Sequence, residues 1–375
     1  MKKLIALILM LSLILCGCTG KQNAETTVPV TEAPTEATTE APTEAPTEAP
    51  TEAPTEAPTE APTEPPVPTN PLTGEAVEAP VETRIFAVSI NNSHGAMPMY
   101  GVSDADLYFE MFINNYSTRG LALFADIRQA GSIGSVRSLR YNFTDLAETF
   151  DAIVMHAGGS GSVMDDLRAS PVTSISVESE YSDYYFRDEG RYSSGYAWEH
   201  CLFVRGPESY AYAESKGMRV TQDADKDYGL RFSEDAVPAD GEDAANIKLQ
   251  MIHDIANKQT IMRYDEESGL YQFSQYGLDM WDASENQPIR FRNFIVMLCP
   301  VNDSYYKSIT YHTADLLGSG EGYFACGGKM IPILWSHESM DAPILFTHTD
   351  GTPLELGIGS SYIAIAPLGS IVECE

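Results

Sequence analysis

The chain has 375 residues, 43% of them hydrophobic and 21% charged, with a formal net charge of −31. Beyond a low-complexity start, that length suffices for one sizeable core or two ordinary domains. So acidic a surface disfavours nucleic acid and anionic lipid head groups, which reward basic proteins, and repels acidic envelope polymers unless a local cationic pocket overrides the field.

At the N-terminus, Lys2 and Lys3 precede a nearly all-apolar run from Leu4 to Leu15, too short to span a bilayer as a helix. Leu15-Cys16-Gly17-Cys18 then fits the pattern read by lipoprotein signal peptidase, an aliphatic residue and two small ones before a cysteine that receives the lipid. Residues 1–17 are expected to be removed, leaving a lipidated Cys18 that holds the protein on the outer face of the cell membrane. From Thr31 to Glu64 the chain repeats Thr-Glu-Ala-Pro. Proline at every fourth residue prevents helix, and no large apolar residue is available to bury, so residues 18–69 read as an extended tether. At about 3.1 Å per residue it reaches on the order of 150 Å.

The folded part is expected to be α+β: an N-terminal mixed α/β domain (70–221), an acidic linker (222–243) and a mainly β, sandwich or barrel-like C-terminal domain (244–375). Strands are predicted over Arg84–Asn91, Asp106–Ile113 and Gly120–Ile127 from their apolar, β-branched character. Helical spacing of apolar residues predicts a helix over Val136–Phe150. Asp151–His156 reads as a strand entering Gly158-Gly159-Ser160-Gly161 and a helix through Leu167, and Pro207–Ser215 as a short helix. After about Asp240, short alternating runs dominate: Thr260–Tyr264, Leu270–Phe273, Phe294–Pro300, Ser308–His312, Gly322–Cys326, Met330–Trp335, Ile344–Thr347 and Tyr362–Ala366. Turns at Glu267-Ser268-Gly269, Gly327-Gly328 and Asp350-Gly351 separate some of them. Cys201, Cys299, Cys326 and Cys374 are scattered, with pairing left open; buried thiols are the simpler reading for a chain of this size.

Several motifs in order resemble the YerB-like family of bacterial lipoproteins. They are Asn70-Pro-Leu-Thr-Gly74, the strand ending at Asn91, Ser103 to Glu110, Thr118-Arg119, Gly134 to Arg140, Phe150 to Val154, His156 to Ser160 and Phe186-Arg187. Met262 to Asp265 with Tyr271, and Gly318 through Trp335, extend the resemblance into the C-terminal part. Where that family tends to carry Pro-His-Asn before an aromatic, this chain has Glu199-His200-Cys201-Leu202-Phe203. The resemblance implies a two-part domain of unknown function, found mainly in Gram-positive bacteria.

Chemistry is expected first at the arginines. Arg119, Arg137 and Arg140, with Arg128, Arg187 and Arg191, are basic positions in an acidic protein, and guanidinium forks grip phosphate or carboxylate bidentately. They form an anion pocket, helped by a helix N-terminus after the glycine-rich turn, or else pair with Asp126, Asp145, Glu148 and Glu110. Asn91 and Ser160 join the candidate ligand-binding set. His156, at a strand end before a glycine loop, is a candidate general base, oriented by Glu110 or Asp151; a core histidine bonded to backbone is the plainer reading. Ser160 lacks the final glycine of a nucleophile elbow, and His337-Glu338 lacks the second histidine of a zinc motif because Asp341 stands there. His94, His200, His253, His312 and His348 show no ligand spacing, so no metal or cofactor is expected. Tyr181, Tyr184, Tyr185, Tyr192 and Tyr196 with Trp198 suit sugars or peptide stems, or are partly buried loop aromatics.

The leading expectation is a non-catalytic surface protein binding a cell-wall polymer or an envelope protein. The alternative is an envelope phosphotransferase or hydrolase using the arginines with His156 and Glu110. A solute-binding protein fits less well, since it needs two α/β lobes.

Overall fold

The computed structural model describes residues 67–114, 117–178, 180, 182–251, 258–306 and 309–375. All lie in the unit Glu64–Glu375. Cys18, the Thr-Glu-Ala-Pro tether, Tyr181 and His253 lie outside the described residues.

In chain order, the elements that matter for function are β1 (Phe86–Asn91), β2 (Leu107–Asn114), β3 (Ser117–Phe124), α1 (Tyr141–Thr149), β4 (Ile153–His156), α2 (Gly161–Ala169) and β5 (Ser174–Ser176). The second half adds β6 (Thr260–Asp265), β7 (Leu270–Gln275), β8 (Asn293–Cys299), β9 (Gly318–Cys326), β10 (Lys329–His337) and β11 (Ser361–Pro367). Among the described residues every α-helix falls in the N-terminal half, so the fold is α+β with a β-built C-terminal half.

One large sheet runs through both halves, in the order β10-β9-β8-β11-β2-β3-β1-β4-β5. The halves join where β2 lies parallel to β11, Leu107 opposite Ser361 and Met111 opposite Ile365. Strands with water on neither side should be apolar on both faces, and these are. Phe86, Val88, Ile90, Tyr108, Tyr362 and Ala364 face one side, while Ala87, Leu107, Phe109, Leu121, Val154 and Ile363 face the other. A second sheet containing β6 and β7 covers the first face through Met262, Tyr271 and Phe273. Helices α1 and α2 cover the second with Phe143, Leu146, Val163 and Leu167.

The predicted strands appear within a few residues of their expected bounds. The turn Gly327-Gly328 joins β9 to β10 with both residues at positive φ (59° and 76°), as a two-residue hairpin demands. The helix expected from Val136 is corrected: it begins at Tyr141. Val136 and Leu139 are buried as predicted, but in an extended segment. Its backbone is claimed by neighbours: Asn91 N–H donates to Ser135 O (2.9 Å), Arg137 N–H to Ser89 O (2.8 Å), Ala157 N–H to Arg137 O (2.9 Å) and Leu139 N–H to Gly158 O (2.8 Å). Bonds to the ends of β1 and β4 replace the helical ladder. Cys201, Cys299, Cys326 and Cys374 are free thiols, and burial pushes Cys299 up to about 12.

Candidate functional site: an arginine cluster at the strand ends

The segment 136–140 crosses the carboxyl ends of the parallel strands β1 and β4, the side of a parallel arrangement where ligands are commonly held. It carries Arg137 and Arg140. Arg119 comes from β3, where it stands opposite Asn91 of β1 and Met111 of β2. Alternation along β3 places Arg119 on the helix-covered face with Leu121 and Leu123.

Two of the guanidiniums meet around one short stretch of backbone, with the third near enough to act on Arg119 electrostatically. Arg119 donates to Ser138 O (2.9 Å), and Arg140 donates to Ser138 O (3.3 Å) and Leu139 O (2.7 Å). Arg137 donates to Glu199 O (3.3 Å). Arg119 is 5% exposed. Burial, then the neighbouring Arg140 and Arg137, pushes its pKa well below the ordinary arginine value. Burial lowers Arg140 and Arg137 too, with Tyr311 and Glu199 respectively opposing it.

Among the described residues none of the three forms an ion pair with a carboxylate. The expected acidic partners are engaged elsewhere: Asp126 with Arg128, Glu110 with Lys258, and Asp145 with the Asn142 amide. The Nε atoms of Arg119, Arg137 and Arg140, Asn91 Nδ2 and Ser135 Oγ are all buried without a hydrogen-bond partner. Buried donors left unpaired cost about 1–3 kcal/mol each, more when charged, and here several fall on neighbouring like-charged groups.

Two cavities of about 430 Å³ each are lined by members of the cluster, one by Arg137 and the other by Arg140. The first is lined by Arg137, Ser138, Gly158, Glu178 and Arg187. There Arg187 is already spent, paired with Glu178 (2.7 Å) and lying 4.3 Å over the Trp198 ring. The second is lined by Arg140, Tyr141 and Asn142 at the start of α1, by Ser160 and Gly161 at the start of α2, and by Tyr311. Two nine-residue helices thus direct their N-termini at one cavity that also holds a guanidinium. Each terminus carries unsatisfied N–H groups and about half a positive charge. Ser160 caps α2, its Oγ accepting from Val163 N–H at 3.4 Å. His312 stacks on Phe112 at 4.2 Å and is bonded to Asp303 (2.6 Å) at the rim.

The structure does not bring Glu110 to this site or to His156. Glu110 shares its face with Tyr108, while His156 follows Val154 on the other, and three strand spacings of about 4.8 Å lie between β2 and β4. Glu110 is fully buried. It accepts from Asn92 Nδ2 (2.8 Å), Thr118 Oγ1 (2.6 Å), Thr260 Oγ1 (2.7 Å), Lys258 Nζ and Tyr362 OH. Burial alone raises its carboxyl; the Lys258 ammonium and the hydroxyl donors outweigh that and hold it below the usual value. His156 is 0% exposed, its Nδ1–H donating to Gly158 O (2.9 Å), and burial lowers its pKa. Asp151 is taken by Arg84 and Arg219. Arg191 bonds Ala96 O and Pro98 O under Tyr196, as a structural cation. Of the aromatic group, Tyr184 is in the core, Tyr196 OH donates to Met97 O, and Tyr192 and Trp198 remain about half exposed in edge contact.

Tyr311, Tyr141 and the Asn92–Lys258–Gln275 group were not foreseen from the sequence. Nothing local marks them, since their neighbours lie far away along the chain.

The sequence matches the N-terminal domain of a protein family of unknown function, DUF3048, over residues 72–219, and its C-terminal domain over residues 249–363. It is 27% identical over 308 residues to "Putative lipoprotein YerB" of Bacillus subtilis (strain 168), covering 79% of this chain and 86% of that protein. The crystal structure of YerB protein from Bacillus subtilis superposes with a TM-score of 0.70 at 24% identity, over 81% of this chain and 99% of that one. Both domains, in order and across the joined sheet, place the chain in the DUF3048 family.

Proposed function

We propose that this chain is a lipoprotein, anchored through Cys18 to the outer face of the membrane, whose folded region binds an anionic group of a cell-wall polymer without catalysing a reaction. The lipidation motif supports the anchor, as does the likeness to a protein named as a lipoprotein. The observation that carries the binding reading is the convergence of Arg119 and Arg140 on Ser138 O, with Arg137 beside them, none of the three paired with a carboxylate among the described residues. In a chain of net charge −31, such a pocket gives selective purchase on phosphate or carboxylate while the surrounding surface repels polyanions bound elsewhere. The non-catalytic reading is supported by the separation of the candidate acid and base on opposite sheet faces. Co-sedimentation of the full chain with purified cell wall tests the proposal. Retention should fall when phosphate-bearing polymers are stripped from the wall, and with an Arg137→Gln, Arg140→Gln protein. Equal retention in all three cases overturns it.

A further inference from the structure

On the sheet face opposite the arginines, Lys258, Asn92 and Glu110 form a dry triad that the anion site does not use. Glu110 and Asn92 are 0% exposed and Lys258 is 3% exposed. Lys258 Nζ and Asn92 Nδ2 donate to the same Glu110 oxygen, which places the amine and the amide within two hydrogen-bond lengths of each other. Gln275 Nε2 donates to Asn92 Oδ1 at 2.6 Å, which holds and polarises the side-chain carbonyl, and Tyr276 OH donates to the Asn92 backbone O at 2.9 Å, which fixes the main chain there. The ring of Tyr276 lies 5.5 Å from Lys258 Nζ, and Tyr362, whose OH donates to Glu110, packs its ring with those of Tyr108 and Phe273.

We infer that this triad forms an intramolecular isopeptide bond between Lys258 Nζ and Asn92 Cγ. Each requirement of such a condensation has a residue. The Lys258 ammonium passes a proton to Glu110, which leaves a neutral amine as nucleophile in a medium that disfavours separated charges. Nζ attacks Cγ, and the oxygen that gains negative charge is Oδ1, where the Gln275 N–H already points. Glu110 hands its proton to Nδ2, the Cγ–Nδ2 bond breaks, and ammonia departs. The carboxylate then takes the extra proton from Nζ. One amide bond forms and one breaks, with no oxidant or co-reactant. The bond joins the end of β1 to the start of β6, and so ties the two halves of the chain covalently across their shared core. On the lipoprotein reading, this locks together two halves that no disulfide joins among the described residues.

Mass spectrometry of a tryptic digest of the denatured full chain tests the inference. The expected result is a single branched product containing Asn92 and Lys258, lighter by one ammonia than the two peptides together and uncleaved after Lys258. The same digest of Glu110→Gln should give the two peptides unjoined. If folded wild-type protein yields the Asn92 and Lys258 peptides separately at their sequence masses, the inference falls, whether or not the variant folds. It falls equally if Glu110→Gln retains the link.

Discussion

Asn91 stands directly across the β1–β3 ladder from Arg119, and both project onto the face of the sheet that α1 and α2 cover. The next residue, Asn92, reaches the opposite face and bonds Glu110. A single step of the pleat therefore separates the arginine cluster from a closed polar network.

Because these three guanidiniums have no carboxylate partner among the described residues and their Nε donors lack acceptors, oxyanions should stabilise the folded state. Inorganic phosphate is expected to raise the melting temperature of the wild-type protein along a saturating curve. A concentration a hundredfold above Kd adds about 2.7 kcal/mol. Arg140→Gln should abolish most of that gain, and differential scanning fluorimetry reads both.

Arg119 is a buried cation beside two others, so its charge opposes folding. Replacing it with an apolar side chain of similar length, Arg119→Met, should stabilise the ligand-free protein by on the order of 1 kcal/mol while removing the response to phosphate. Urea denaturation with and without phosphate checks this. A destabilised variant that still responds to phosphate would show that Arg119 only supports the fold.

Breaking the Glu110–Lys258 pair from one side has a different consequence. Lys258→Met leaves Glu110 without its buried partner and also removes the lysine that the inferred bond requires, so it should cost at least about 3–5 kcal/mol, seen as a lower urea midpoint.

Two buried carboxyls make a distinct contribution to the pH dependence. Burial raises Asp145 to about 7, assisted by Asp166 and Glu148, and raises Asp106 to about 6. Both folded values lie above those of the unfolded chain, so between about pH 4 and 7 the native state holds protons that the unfolded state has lost. Their contribution makes stability fall as pH rises through that window. Asp145→Asn should flatten the profile and raise stability at pH 8 by on the order of 1–2 kcal/mol, measured by urea midpoints from pH 4 to 8.

Much of this fold was legible in the sequence, because alternation and turn glycines report local conformation. The strands Phe86–Asn91 and Leu270–Gln275 needed no more than that. Val136–Arg140 was misread as helix because its apolar residues at helical spacing are buried for another reason: strand-end backbone groups captured the segment. The arginines were visible as an excess of base in an acidic chain, but whether acids neutralise them depends on sheet faces. Glu110 was assigned to the wrong company on that account. Its partners Thr260 and Tyr362 lie 150 and 252 residues along the chain, beyond any local pattern.

The central claim is that Arg119, Arg137 and Arg140 present one anion site. Heteronuclear NMR of the arginine Nε–Hε groups during titration with inorganic phosphate tests it most directly. The account predicts that the signals of these three residues move together and saturate at a common concentration, while exposed Arg168 follows only bulk ionic strength. Signals of the three that stay fixed, or that drift without saturation like that of Arg168, would contradict it.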